Sequence, residues 1–218
     1  MSEEAPAKEA RSSTRFLVIG LIGVLLAGGL NVFADYAAVA PWGSISFLAV
    51  GPASVLIGLF CIGTIPIAAV CCLSRRLRER ACQVIMISVF FVIVLFVALR
   101  IGGKVRMSGF RALAQRSALL VQAIKSYEQA HGSPPPNLEA LVPEFLPAVP
   151  GTGMGAYPQY QYCASKERTR AGNPWRLVVP CSIGFANTDE FVYLPKQNYG
   201  PRIGGWYEQV EDWGYFHE

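Results

Sequence analysis

Three uncharged apolar stretches in the first half of the chain constrain its fold more than any other feature. They cover residues 16–33, 45–73 and 81–99, and none contains Asp, Glu, Lys, Arg or His. A helix rises about 1.5 Å per residue, so about 20 such residues cross a hydrocarbon core roughly 30 Å thick. The sequence therefore predicts a leader, residues 1–15, and then a three-helix transmembrane region at 16–33, 45–73 and 81–101.

Basic residues predict how these helices are oriented. The leader carries Lys8, Arg11 and Arg15, whereas the connector between the first two spans has Asp35 but neither Lys nor Arg. The connector between the second and third spans carries four arginines: Arg75, Arg76, Arg78 and Arg80. The positive-inside rule then places the N-terminus in the cytoplasm and residues 102–218 outside it, although Arg100, Lys104 and Arg106 oppose this orientation. We expect a multi-pass protein of the bacterial inner membrane with a periplasmic C-terminal domain.

The first span has an alternative interpretation. Its charged start and apolar middle also fit a cleaved signal peptide, and Ala38, Val39 and Ala40 resemble a cleavage site. The apolar run is longer than the usual 7–15 residues, which favours a membrane helix. Cleavage would leave the C-terminal domain on the same side of the membrane.

The C-terminal half has the pattern of a compact α+β domain. Apolar residues recur at helical spacing from Phe110 to Tyr127, which predicts a helix over residues 108–130 that ends at Gly132. Asn137 is placed to cap a short helix, and alternating segments at 159–163, 175–179 and 191–194 predict a small antiparallel sheet. Lys and Arg nearly balance Asp and Glu after residue 102, which argues against nucleic-acid binding.

Six cysteines divide into a membrane group and a domain pair. Four lie in or beside the spans, where a thiol packs as a small apolar group: Cys61, Cys71, Cys72 and Cys82. Cys163 and Cys181 flank the two strands of a predicted hairpin, and in an oxidising compartment this predicts a disulfide. A metal site is disfavoured because neither cysteine belongs to a C-x-x-C pair.

One segment of the domain carries a family pattern. Its residues are Ala123-Ile124-x-x-Tyr127-x-x-x-His131-Gly132-x-x-Pro135-x-x-Leu138-Glu139-x-Leu141-Val142-Pro143, continued by Phe145-Leu146-Pro147-x-x-Pro150 and by Tyr160-x-Tyr162. Over about residues 112–162 the chain resembles the soluble part of type IV pilin-like proteins, especially the major pseudopilins of type II secretion. The resemblance implies a long helical spine, a short helix and loop, and an antiparallel sheet packed on the spine. The third span and the 108–130 helix would form this spine, with a bend at Gly102-Gly103.

The chain departs from that family at the leader. Members that form filaments have a basic leader, a glycine cleavage site, and an apolar helix that begins with Phe and has Glu at its fifth position. That prepilin motif is missing here, so we expect neither processing by a prepilin peptidase nor polymerisation.

Catalytic residues do not assemble from the sequence. His131 follows the end of a helix, and Glu139 and Glu144 fit a helix start and a loop, so we expect no catalytic residue, no cofactor and no metal. The candidate binding surface is aromatic: Trp206, Tyr207, Trp213, Tyr215 and Phe216. These rings could instead form the core or lie at a membrane interface.

These features lead to a hypothesis about function. We expect a non-enzymatic, membrane-anchored envelope protein whose periplasmic domain binds a partner protein or a surface polymer. The alternative is an accessory subunit of a membrane complex of the secretion or respiratory type, and a periplasmic enzyme is less favoured. Membrane lipid and other envelope proteins are the expected partners.

Overall fold

The chain forms two compact units. The structure is a computed structural model that describes residues 4–164, 172–182, 188–200 and 206–217, with side chains from residue 12 onward except that of Trp206. One unit comprises the chain up to Asp35 together with Ala49–Lys104. The other comprises Tyr36–Leu48 and the chain from Val105 onward.

The first unit consists of long apolar helices. They are most of α1 (Glu4–Val39), all of α2 (Val50–Cys71) and the first part of α3 (Arg78–Arg116). A 3-10 turn at Ile45–Ala49 precedes α2 and belongs to the other unit except for Ala49. Three helical segments are long and apolar enough to cross a membrane, namely Ser12–Val39, Ile45–Cys71 and Arg78–His131. The prediction of three such helices is confirmed by their length and composition.

Small and polar residues bring these helices together. A Cβ on Gly58 would lie 2.8 Å from the Leu95 side chain, so α2 and α3 approach closely where a side chain is missing. The buried Asn31 donates a hydrogen bond of 2.8 Å from Nδ2 to Ser54 Oγ, which links α1 to α2. Close packing and a polar link of this kind are what hold apolar helices together in lipid.

Helix α3 continues through Gly102-Gly103, where the sequence predicts a bend. Its residues are helical without interruption from Arg78 to Arg116. Glycine permits a kink but does not impose one, because its backbone still makes the helical hydrogen bonds. Gly102 instead supplies space, since a Cβ there would lie 2.9 Å from Cγ of Asp35.

The helical spine of the second unit is α3 followed by α4 (Ala118–His131). A single turn residue, Ser117, separates the two helices, and its hydroxyl lies 2.7 Å from the carbonyl oxygen of Leu113 and 2.7 Å from Tyr160 Oη. The helix predicted over residues 108–130 is therefore present as the end of α3 and all of α4. Gly132 ends it in the left-handed conformation, with φ of 70°.

A 3-10 turn at Glu139–Leu141 replaces the predicted short helix. Asn137 has the predicted capping role, because its Oδ1 accepts a hydrogen bond of 2.9 Å from the backbone N–H of Ala140.

Five short strands follow the spine: β1 (Gln161–Cys163), β2 (Arg176–Pro180), β3 (Glu190–Tyr193), β4 (Trp206–Val210) and β5 (Trp213–His217). They form one antiparallel sheet in the order β1-β2-β3-β5-β4. The three predicted strands are confirmed as β1, β2 and β3, with shifts of one or two residues at their ends.

The two faces of the sheet are both covered. One face packs on the spine, where the Phe110 ring lies 4.9 Å from that of Phe191 and 5.1 Å from that of Tyr215. The other face carries a smaller cluster: Val178, Val192, Leu194 and Phe216, with Tyr199 and Tyr207 against it. Alternate residues of β2, β3 and β5 therefore contribute to different clusters.

Replacement of Phe110 by Ala tests the centre of this core. The ring is 0% exposed, so Phe110→Ala should lower the free energy of unfolding by about 3–5 kcal/mol through lost apolar burial and a cavity. Leu119 is the neighbour of the buried Leu120 in the sequence but is itself 70% exposed. Leu119→Ala should therefore change the free energy of unfolding by less than about 0.5 kcal/mol. Chemical unfolding of the detergent-solubilised protein, followed by near-ultraviolet circular dichroism, gives both values. Equal effects of the two variants would contradict this core.

Candidate functional site

The predicted disulfide between Cys163 and Cys181 is wrong. Both residues are free cysteines. Cys163 pairs with Arg176 at the start of β2, whereas Cys181 lies five residues further along, just beyond the other end of that strand. At about 3.3 Å per residue this separates them by about 16 Å, and a disulfide requires Cα atoms within about 7 Å.

The aromatic C-terminus is mainly core rather than an exposed platform. Trp213 and Tyr215 are buried against the spine, and Phe216 is buried on the other face of the sheet. The assignment of Tyr215 and Phe216 to a binding surface is therefore corrected, whereas Trp213 is 2% exposed and lines the groove described below. Tyr207 is half-buried and stacks on Phe216 with ring centroids 5.7 Å apart, and the side chain of Trp206 lies outside the described residues.

His131 belongs to an aromatic cluster at the end of α4. Its ring stacks on Tyr127 at 4.1 Å and lies 6.0 Å from the ring of Phe145, while its Nδ1 is 3.1 Å from the Tyr127 carbonyl oxygen. Glu139 and Glu144 are exposed on the segment that follows. This arrangement fits the helix-end role expected for His131.

A buried charged group lies between the spine and the sheet, and the sequence did not reveal it. Arg106 is 4% exposed and donates a hydrogen bond from Nη2 to the carbonyl oxygen of Cys181. Its guanidinium lies 5.6 Å from the ring centroids of Phe110 and Tyr157 and 5.9 Å from that of Tyr215. Arginine stays charged in proteins, so these ring faces take the place of water around the cation.

Acidic and hydroxyl groups continue this cluster across the sheet. Tyr215 donates a hydrogen bond of 2.7 Å to Oδ2 of the buried Asp189, and His217 Nδ1 lies 3.6 Å from the same oxygen. The backbone N–H of Cys181 donates to the Asp189 carbonyl oxygen at 2.9 Å. The cluster thus joins the spine to the end of β2, to the residue before β3, and to β5.

Burial determines the chemistry of this cluster. It raises the pKa of the Cys181 thiol to about 12 and raises the pKa of the Tyr215 hydroxyl well above its usual range. The thiolate is the nucleophilic form of cysteine, so the Cys181 thiol is unreactive at neutral pH. We therefore interpret the cluster as a structural network.

An open groove with a volume of about 410 Å³ is the best candidate for a binding site. It lies between the α3–α4 spine and the turn that joins β4 to β5, and we call it the spine groove. Its lining residues are Ala114, Gln115, Ala118, Val121, Gln122, Lys125, Tyr193, Glu211, Asp212 and Trp213. The helical residues from Ala114 to Lys125 form one stripe, which at 1.5 Å per residue is about 16 Å long.

The spine groove combines an apolar floor with charged rims of both signs. Lys125 Nζ lies 5.6 Å from the Tyr193 ring centroid, while Glu211 and Asp212 stand at the turn. Arg111 Nε is 3.7 Å from Glu211 Oε1, but both side chains are exposed, so this ion pair contributes little stability. These charges therefore remain available to a bound molecule.

Sequence patterns did not point to the spine groove, because its walls come from helix positions and a turn far apart in the chain. Among the residues that the structure describes, no group of three or more His, Cys, Asp or Glu is arranged to hold a metal ion. Comparison of the chain with protein families, curated proteins and solved structures finds no match.

Thiol labelling tests the corrected state of the two domain cysteines. With N-ethylmaleimide at neutral pH, the half-exposed Cys163 should react in the folded protein, whereas Cys181 should react only after unfolding, because its thiol is buried and neutral. Mass spectrometry of peptides from the unreduced protein measures the extent of labelling at Cys163 and at Cys181. A peptide pair linked through Cys163 and Cys181 would contradict the free thiols.

Proposed function

We propose that this chain is a non-enzymatic, multi-pass protein of the bacterial inner membrane whose extracytoplasmic, pilin-like domain binds a partner protein. The observation that carries the proposal is the spine groove, whose floor is apolar and whose rims carry Lys125 on one side and Glu211 and Asp212 on the other. An apolar centre surrounded by polar groups is the usual composition of a protein–protein interface.

The division of the chain supports the proposed topology. Tyr36–Leu48, which contains the connection between the first two candidate spans, belongs to the same compact unit as the domain. A chain with three spans has its first connector and its C-terminal domain on one side of the membrane. Arg75, Arg76, Arg78 and Arg80 lie on the other side and favour the cytoplasm.

The order of elements supports the pilin-like assignment. A long helix leads into the domain, a 3-10 turn and an extended loop follow, and an antiparallel sheet packs on the helix. The family resemblance over residues 112–162 implies the same order. Fold alone does not identify function, so the proposed binding role rests on the spine groove.

Two other functions are less well supported. A surface polymer such as a glycan favours exposed aromatic rings, but Trp213, Tyr215 and Phe216 are buried. A periplasmic enzyme would need a reactive group, and the Cys181 thiol is buried with a raised pKa. The accessory-subunit alternative differs in its contact surface, since the membrane helices rather than the spine groove would bind the partner.

Reporter fusions to the whole chain test the topology. Alkaline phosphatase fused after Glu218 should be active, and green fluorescent protein at the same position should be dark, because the C-terminus is proposed to be periplasmic. A reporter inserted after Arg78 should show the cytoplasmic pattern. The reverse pattern would overturn the orientation.

Site-specific photo-crosslinking tests the spine groove. A photoreactive amino acid at the exposed Gln122 should crosslink a partner protein in cells, whereas the same amino acid at the exposed Gln161, on the opposite edge of the sheet, should not. Ala118→Arg fills the groove and should reduce crosslinking from position 122 about tenfold, which corresponds to about 1.4 kcal/mol of binding free energy.

Affinity purification in mild detergent separates the two partner hypotheses. If Ala118→Arg releases the partner, binding occurs through the spine groove. If the partner stays bound in equal amount, the contact lies elsewhere, and the accessory-subunit alternative is favoured.

A further inference from the structure

An exposed cluster of large apolar side chains lies on the connector segment Tyr36–Leu48. Tyr36, Trp42 and Ile45 are 52%, 57% and 66% exposed. The Trp42 ring lies 6.2 Å from both the Tyr36 ring and the Phe47 ring, so the aromatic groups form one patch, which we call the connector face. Contiguous apolar surface of this kind marks a site of interaction.

The opposite side of the connector is part of the domain core. Ala38 and Leu48 are buried in the same cluster as the spine and the sheet. The backbone N–H of Gly155 donates a hydrogen bond of 2.8 Å to the Ala40 carbonyl oxygen. A Cβ on Gly155 would lie 2.6 Å from the Gly43 nitrogen, so the two backbones approach as closely as glycine permits. The connector face is therefore a fixed surface of the folded domain.

Chain length places this face close to the proposed bilayer. The first candidate span ends at Val39 and the second begins at Ile45, so Trp42 is three residues from each. Three extended residues reach at most about 10 Å, and the polar region on each side of the hydrocarbon core is about 5–8 Å thick. Trp and Tyr are enriched in that region, where the ring is apolar and its N–H or O–H meets water.

We propose that the connector face inserts into the headgroup region of the phospholipid bilayer and so holds the folded domain against the membrane surface. The inference rests on the proposed membrane location. Residues 36–48 contain no Asp, Glu, Lys, Arg or His, so the attraction is interfacial burial of rings rather than attraction to charged headgroups. Insertion is therefore independent of anionic lipid and of salt.

Fluorescence quenching by brominated lipid tests this insertion. The full-length protein and its Trp42→Phe variant are reconstituted in phosphatidylcholine vesicles that carry bromine either near the headgroup end or at the far end of the acyl chain. The difference between the two spectra reports Trp42 alone. Bromine near the headgroup should reduce this difference emission about twofold or more, and bromine at the far end should reduce it less.

A variant pair tests what the insertion does. Trp42→Ser should leave the domain folded, because the side chain is mostly exposed, but should raise hydrogen exchange of the backbone around Gly155 in vesicles. Leu119→Ser removes a similarly exposed apolar group on α4 and should leave that exchange unchanged. Equal exchange in Trp42→Ser and the unmodified protein would overturn the anchoring role.

The other outcomes are also decisive. Quenching of Trp42 by aqueous iodide but not by brominated lipid would overturn the insertion, as would emission shielded from both quenchers, which would indicate that protein rather than lipid covers the connector face. Quenching that required anionic lipid or disappeared in high salt would overturn the interfacial mechanism. Carbonate extraction separates these failures from that of the proposed function, because only a chain that lacks membrane spans is released.

Discussion

The burial of one helical stripe against one face of the sheet supports most of the second unit. The stripe includes Phe110, Leu113, Leu120 and Ile124, all of them buried. Each such side chain contributes about 1.5–3 kcal/mol when it leaves water. Strands of three to five residues are marginal alone, so the sheet depends on this cover. The position of the stripe also determines the spine groove, which opens where the same helices meet the turn between β4 and β5.

Local patterns in the sequence were sufficient for the helices and for part of the sheet. The helix over residues 108–130 was predictable because its apolar spacing, Gly132 and Asn137 all act within a few residues. The Cys163–Cys181 bridge failed because it ignored hairpin geometry. Residues that pair across a hairpin lie at equal distances from its turn, and Cys163 is next to the turn while Cys181 is beyond the far end of β2.

Long-range packing accounts for what the sequence could not disclose. Trp213 and Phe216 lie on opposite faces of β5, and an exposed role for either would require one face to meet water. Both faces are covered, because Tyr199 and Tyr207 pack on the second.

Arg106 appeared in the sequence as a charge that opposes the predicted orientation. Its burial among aromatic rings places it inside the domain rather than on the surface.

The connector is a part of the domain core that lies far from the other core residues in sequence. Ala38 and Leu48 contribute to a core whose other members begin more than 50 residues later, so the chain must close long loops before that core exists. Loop closure costs conformational entropy, and the cost rises with loop length. Helices that cross the bilayer would hold the connector and the domain on one side and would reduce that cost before the sheet forms. Gly43 and Gly155 then meet at a distance that no larger side chain allows, and this explains why a segment with the appearance of a short loop is a structural part of the domain.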